Sequence, residues 1–444
     1  MKKLLLTVLS LLAVVSLSAC SGLGVNISEG LSPPKPSGEL YDIQQALEKA
    51  AGENFKLSYP SQGEYRSAII TLDLDGDEKY EVFSFYSTET DDKTTIMHIN
   101  YIKWTEKGWV SVSDIEAAAS GVESVDFAML DYSGVPKVIV NWTKYSAVNK
   151  LVSVYDINSG SLKELTSAEF TVSAVTDFDK DGINEIVAVH LDTEHKTSSA
   201  QILALTENGF EPKGSCKLDG GATSYYEPVF SKLSEGTPAL FIDAVKPSGT
   251  ITEVIHLRDG QYVNAFVSGD AENFENVKTL RASAVRSADF NGDGAMDIPL
   301  AEKLPSQEGA LESDSVYMTV WNSFDGHVFV PFARTVINFT DGYYIDVPDK
   351  WLGAFAVQRK LDMKQRTVVR WNADTNTAGE EVLKIQAVSI ENWEENAANF
   401  ESYVEIARSS ECVFVVKFGN SALNPGEAEF KKMFHLIDRN LQNS

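Results

Sequence analysis

The chain has 444 residues, 43% of them hydrophobic, and its 38 lysines and arginines face 64 aspartates and glutamates, for a formal charge of −26. This length and apolar content can fill large cores and set two domains as the expectation. The charge excludes attachment to nucleic acid or an anionic membrane through bulk electrostatics, and cysteines at only 20, 216 and 412 exclude a disulfide framework.

The chain opens MKKLLLTVLSLLAVVSLSAC. Lys2 and Lys3 give a positive start, and Leu4 to Val15 is an apolar run of signal-peptide length, short for a bilayer span. It ends in Leu17-Ser18-Ala19-Cys20, which resembles a bacterial lipobox. The resemblance implies a lipoprotein signal peptide over 1–19, a diacylated Cys20 as first mature residue, and an extracytoplasmic protein lipid-anchored to the bacterial cell membrane. Losing 1–19 removes two lysines and no acid, so the mature chain is more acidic still. Residues 20–38, rich in Ser, Gly and Pro, read as a flexible tether. Leu40 to Ala51 reads as a helix with Leu40, Ile43, Leu47 and Ala50 on one face and Gly52 as its stop. No later stretch is long and apolar enough for a transmembrane helix.

A repeat follows. Asp73-Leu-Asp75-Gly-Asp77-Glu-Lys-Tyr-Glu81, Asp177-Phe-Asp179-Lys-Asp181-Gly-Ile-Asn-Glu185 and Asp289-Phe-Asn291-Gly-Asp293-Gly-Ala-Met-Asp297 place acid or Asn oxygens at positions 1, 3, 5 and 9. A β-like run precedes each, and an apolar step (Val82, Ile186, Ile298) follows. Two more copies keep a Gly-x-Pro frame without the acids, Gly134 to Pro136 and Gly236 to Pro238. Hairpin turns recur in the second half of each unit, at Thr105–Gly108, Ile157–Gly160, Thr206–Gly209, Arg258–Gly260 and Phe324–Gly326. A period of roughly fifty residues is the size of one four-stranded blade. The fold expected is therefore mainly β: a β-propeller of about five four-stranded blades over 39–338, with the N-terminal helix. Ring closure would hide the edge strands, with Asn54–Tyr59 a candidate closing strand.

From 339 to 444 the pattern is that of a small α+β domain. Tyr343–Val347, Ala354–Gln358, Thr367–Trp371, Val382–Val388 and Cys412–Phe418 read as strands, and Asn392–Phe400 as a helix. In a last helix Asn424 caps, Pro425 takes the first turn, Glu427 completes a capping box, and Phe430, Met433, Phe434, Ile437 and Leu441 form the buried face.

Carboxylates crowded into nine residues repel, by roughly 1 kcal/mol per pair in water and about 3 at an effective dielectric near 20. A structural Ca²⁺ relieves this, taking six to eight oxygens at flexible geometry. Its ligands would be Asp73, Asp75, Asp77, Glu81; Asp177, Asp179, Asp181, Glu185; and Asp289, Asn291, Asp293, Asp297, the last set helped by the Ala295 carbonyl. The other reading is a set of Asp-rich turns bonded to their own backbone. EF-hands are excluded, because position 12 is Ser84, Ala188 or Leu300 and the flanks are strands. A nine-residue loop inside a β blade instead resembles the FG-GAP, or VCBS, repeat of propellers, which implies the same ligands. That family commonly has Gly at position 6. Gly182 and Gly294 match, whereas Glu78 departs and weakens the first loop, with Gly76 supplying freedom at position 4. The segments SPPKPSGELYDIQQALEKAAG and KLSYPSQGEYRSAIITLDLDGD resemble the entry region of a group of lipoproteins from anaerobic Gram-positive bacteria, and this implies no activity.

No metalloprotease His pair, nucleophile elbow or phosphate loop occurs. His98, His190, His256 and His327 read as core or surface residues, and Trp104, Trp109, Trp142 and Trp321 as packing between blades rather than a sugar platform. The leading reading is a non-enzymatic surface protein whose propeller presents a face to a protein or envelope polymer. A polysaccharide-acting enzyme is the alternative, signalled by a deep axial cleft with carboxylates outside the loops. A sensor or accessory subunit of a membrane protein is the third, signalled by a large exposed apolar patch.

Overall fold

A computed structural model describes residues 38–437 except 53, 145–148, 158–159, 268–273, 308, 310, 312–313 and 361–362. The signal peptide, Cys20, nearly all of the tether and Leu441 lie outside the described residues. Helix α1 (Glu39–Ala51) comes first, stopped at Gly52 as expected. The chain then makes five successive antiparallel sheets, each a meander.

The first sheet holds β1 (Lys56–Leu57), β2 (Ile69–Leu72), β3 (Glu81–Glu89), β4 (Thr95–Thr105) and β5 (Gly108–Ala117). Both β1 and β2 pair with β3, so the Asn54–Tyr59 segment joins the first sheet and not the last. The second sheet is β6 (Gly121–Ala128), β7 (Lys137–Thr143), β8 (Lys150–Asp156) and β9 (Lys163–Phe170). The third is β10 (Val172–Thr176), β11 (Glu185–Asp192), β12 (Thr197–Thr206) and β13 (Gly209–Leu218). The fourth is β14 (Ser224–Tyr225) and β15 (Val229–Lys232), both on β16 (Pro238–Lys246), then β17 (Gly249–Arg258) and β18 (Gln261–Asn264). In the fifth, a single bridge from Ala288 to Asp297 stands for the first strand; β19 (Ile298–Lys303), β20 (Tyr317–Phe324), β21 (Phe329–Asn338) and β22 (Tyr343–Asp346) follow. Each expected turn falls between two strands of one sheet.

Period-two alternation explains how the sheets stack. On β7, Val138 and Val140 face the first sheet, packed with Phe83 and Phe85, while Ile139 faces the third, packed with Ile186 and Ala188. On β11, Val187 and Val189 turn the other way, toward Leu240 and Ile242 of β16, whose Phe241 then meets Ile298 and Phe324 of the fifth sheet. The second strand of each inner sheet is thus apolar on both faces, and one cluster joins each consecutive pair. The remaining face of the first sheet is covered by α1, through Ile43 and Leu47 on Val82, Tyr86 and Ile102. Among the described residues no apolar cluster joins the fifth sheet to the first.

A sixth sheet is ordered β23 (Phe355–Lys360), β24 (Gln365–Asn372), β25 (Thr377–Ser389), β27 (Cys412–Phe418), β26 (Val404–Arg408). Four of the expected strands are here and β26 is an addition, whereas the expected Tyr343–Val347 strand is β22 of the fifth sheet, so the boundary placed at 339 cuts that sheet. Helix α2 (Ile390–Glu395), capped by Ser389, and a 3-10 turn over Ala397–Phe400 stand where one helix over 392–400 was expected. The last helix, α3 (Glu427–Met433), departs more. Asn424 accepts from the Gly426 amide in a turn ahead of it, Gly426 occupies the N-cap, and no capping box forms. At Phe434 the backbone becomes extended, and β28 (Phe434–Leu436) pairs with β22, extending the fifth sheet. Phe430, Met433 and Phe434 are buried as expected, but helix and strand share them. One cluster unites Met318, Tyr343 and Ile345 of the fifth sheet with Trp351, Phe355, Leu383 and Phe414 of the last region. Among the described residues no helix is long and apolar enough to cross a membrane.

Candidate functional site

The acidic loops run into β3, β11 and β19, each from the strand or bridge residue that pairs at that strand's start. The pairs Leu72–Glu81, Thr176–Glu185 and Ala288–Asp297 fix the same span in each. The backbone is left-handed at position 4 (Gly76, Lys180, Gly292) and again at position 6 (Glu78, Gly182, Gly294). Glu78 and Lys180 hold this conformation at roughly 1–2 kcal/mol each relative to glycine. Glu78 thus departs from the residue pattern but not from the backbone path.

That path aims the side chains inward. The position 1 carboxylate takes amides across the loop: Asp73 from Gly76 (2.8 Å), Asp77 and Glu78 (both 3.1 Å), Asp177 from Asp181 and Gly182 (both 3.1 Å), Asp289 from Gly292 (2.8 Å), Asp293 (3.1 Å) and Gly294 (2.8 Å). The position 9 acid is buried and takes the position 2 amide: Glu81 from Leu74 (2.8 Å), Glu185 from Phe178 (2.9 Å), Asp297 from Phe290 (3.0 Å). To this extent the loops are Asp turns bonded to their own backbone.

Oxygens remain beyond those bonds. Asp73, Asp75 and Glu81 each bring an oxygen within 4.8 Å of the others, as do Asp177, Asp179 and Glu185. Asp77 instead turns to Lys79, with its ammonium at 2.8 Å. In the fifth sheet Asn291 donates to Asp293 at 3.1 Å, and Asp297, 1% exposed, keeps a buried Oδ1 with no hydrogen-bond partner. Burial raises the Glu81 carboxyl above the usual range, and the charges of Asp75, Asp77 and Asp73 add to it. Burial, then Asp293 and Asp289, push Asp297 up to about 7. Glu185 is raised by burial and pulled back by Lys213, a residue sequence reasoning passed over, which reaches Asp179 and Glu185 at 2.6 Å each. The donors are all oxygen; among the described acids they converge in the 73–81 and 177–185 loops, the second neutralised in part by Lys213. They fit a hard divalent cation.

A second feature lies away from the loops. A cavity of about 170 Å³ is lined by Glu123 and Asp126 of β6, Ser173 of β10, Glu227 ahead of β15, Lys150 of β8 and Gly63 ahead of β2. Arg286, just before the fifth sheet's bridge, stacks on Tyr226 at 4.4 Å and acts on Glu227. Residues of the second and third sheets, and of the chain ahead of β2 and β15, thus line one space, with Arg286 reaching the last of these segments through Tyr226. Glu123 is bonded to Lys150, and the Gln62 amide sits between Glu123 and Glu227. Glu227 is raised by loss of water contact and then by Glu123; Asp126 is raised by burial and then by Glu227 and Glu64.

The remaining candidates take structural places. Trp142 and Trp321 are fully buried in different sheets, and Trp104 meets Trp109 edge-on across one hairpin, so the four form no platform. His98 and His256 are buried, and His98 stacks on Tyr86. Cys216 and Cys412 are free.

No protein-family model matches the chain, and no curated protein does. Among solved structures it is similar to the rhamnogalacturonan lyase YesW (10% identity, TM-score 0.32, covering 75% of this chain and 72% of that one). It is also similar to a protein from Lactobacillus plantarum (8%, TM-score 0.28, 73% and 93%) and to an exo-beta-1,3-galactanase from Phanerochaete chrysosporium (12%, TM-score 0.26, 76% and 81%). At these TM-scores the likenesses decide neither fold nor activity.

Proposed function

We propose that the chain is a lipid-anchored extracytoplasmic binding protein. In this reading five four-stranded blades over 39–338 form a propeller whose acidic turns are stiffened by Ca²⁺, and residues 339–444 add a second surface. Its ligand is a protein or an envelope polymer, not nucleic acid. The observation that supports it is the run of five successive antiparallel meanders, joined pair by pair through apolar clusters, with an acidic turn of one span repeated in three of them. When bound, the ion supplies the charge that the converging carboxylates lack. Asp73, Asp75 and Glu81, and Asp289, Asn291, Asp293 and Asp297, hold it. Thermal unfolding tests this. At tenfold excess over a dissociation constant near 10⁻⁴ to 10⁻³ M, each site adds about 1.4 kcal/mol. The melting temperature rises in millimolar Ca²⁺ over EDTA, and the rise shrinks in Asp75→Asn and Asp293→Asn. Equal melting in both buffers removes calcium from the reading.

A second reading, a polysaccharide-acting enzyme, is favoured by the cavity beside β6, which holds carboxylates outside the acidic loops. Glu123 is bonded to Lys150, and Glu227, raised by its surroundings, is suited to deliver a proton. Release of reducing ends from envelope polysaccharides, reduced about 100-fold or more in Glu227→Gln, would establish it. No release by the native protein leaves the binding role.

A further inference from the structure

The second sheet carries a fourth loop of the same span, because Ala128 pairs with Lys137 as Leu72 pairs with Glu81. Gly134 is left-handed at its position 6, like Glu78, Gly182 and Gly294. Lys137 therefore stands at position 9, where the other three loops have a buried acid. Its ammonium, 1% exposed, lies 3.0 Å from Asp131 at position 3, 2.9 Å from the Ser133 hydroxyl at position 5, and 3.1 Å from Asp156 of β8. Positions 3 and 5 are ones that supply ion-binding oxygens in the acidic loops.

The third sheet reaches the same end differently. Its acids are complete, and the cation comes from outside the loop. Lys213 of β13 places its ammonium 2.6 Å from Asp179 at position 3, 2.6 Å from Glu185 at position 9 and 3.8 Å from Asp181 at position 5. The first and fifth sheets differ from both. Lys79 pairs with Asp77, and Lys232 donates to the Asp293 main-chain carbonyl at 3.3 Å. Neither is paired with the buried position 9 acid.

We propose that Lys137 and Lys213 are built-in cations that take the place of the divalent ion in the second and third sheets, confining calcium to loops 73–81 and 289–297. The metal count rests on the calcium reading above; the role of the lysines does not. An ammonium brings three donors and one positive charge. Seated among the same oxygens, it claims the space a metal needs and repels it. Because it is tethered, it fills its place at any calcium concentration. Lys213 is then the residue that decides whether an otherwise complete acidic loop takes a metal.

The test is metal stoichiometry by calorimetric titration of the full chain with CaCl₂, beside melting in EDTA. The native protein is expected to bind two calcium ions, and Lys213→Met and Lys213→Gln three. In EDTA both variants are expected to melt about 2–4 °C lower, with the loss recovered in Ca²⁺. Three ions on the native protein, or two on both variants, would overturn the proposal. Should no form bind calcium, the calcium reading fails by itself and the EDTA melts judge the lysine. A lower melting temperature in Lys213→Met and Lys213→Gln supports its role as counter-ion, and an unchanged one overturns it.

Discussion

Arg281→Met is expected to cost about 3–5 kcal/mol of stability, the range for breaking one side of a buried ion pair. Arg281 lies between the fourth and fifth sheets and is 2% exposed. Its guanidinium donates to Asp243 at 2.8 Å, the Thr252 hydroxyl at 3.0 Å and the carbonyls of Thr279 (3.1 Å) and Val285 (2.6 Å). Asp243, 6% exposed, also takes the amide and hydroxyl of Ser287, at the start of the fifth sheet. Methionine fills part of the volume but strands a buried carboxylate and unties the passage from one sheet to the next. Urea unfolding measures the loss. Adding Asp243→Asn should recover part of it, since the stranded charge goes with it. A loss below about 1 kcal/mol would mean that water enters and replaces the pair.

The second large effect is a fall in stability of the metal-free protein as pH rises from about 4.5 to about 7. Burial pushes Glu253, fully enclosed in the fourth sheet, up to about 7, despite hydrogen bonds from Asn264, Asn276 and the Asp219 amide. Its native pKa lies above the unfolded one. Within that window the native state keeps a proton that the unfolded chain has released, so each step up in pH favours unfolding. Below the window the term vanishes, and above it the penalty is constant at about 3 kcal/mol. Asp297 adds a term of the same sign over a similar range, which Ca²⁺ would remove. His256, lowered by burial, opposes both below its ordinary pKa. The difference between native and Glu253→Gln in urea midpoints at pH 4.5, 6 and 7.5 isolates the Glu253 share. Parallel curves would exclude a protonated native Glu253.

Much of this architecture was legible because its information is local. The hairpin at Thr206–Gly209 and the loop at Asp177 each lie within a few residues, and the strands between them alternate or run apolar as their burial demands. The cavity was not legible. Glu123 and Asp126 lie on β6 and Glu227 ahead of β15, about a hundred residues on, with no spacing that links them. Lys137 was hidden for another reason. Matching its loop to the shorter one at Gly236 through Gly-x-Pro concealed that its span equals those of the acidic loops, so a lysine in the acid's position read as a lost site. The C-terminal helix misled because Phe430, Met433, Phe434 and Ile437 fit a helical face. Only the open edge of β22 makes an extended Phe434 the better partner.

The β22–β28 pairing has a consequence for the order of events during synthesis. Each of the first four sheets is assembled from neighbouring hairpins, so its contacts are available soon after its residues leave the ribosome. The fifth cannot finish this way, because its last strand arrives only after the whole sixth sheet has been made. Until then β22 presents a bare edge, the kind that captures strands from other molecules. A chain halted before Phe434 should therefore fold its early sheets and still self-associate through this one edge.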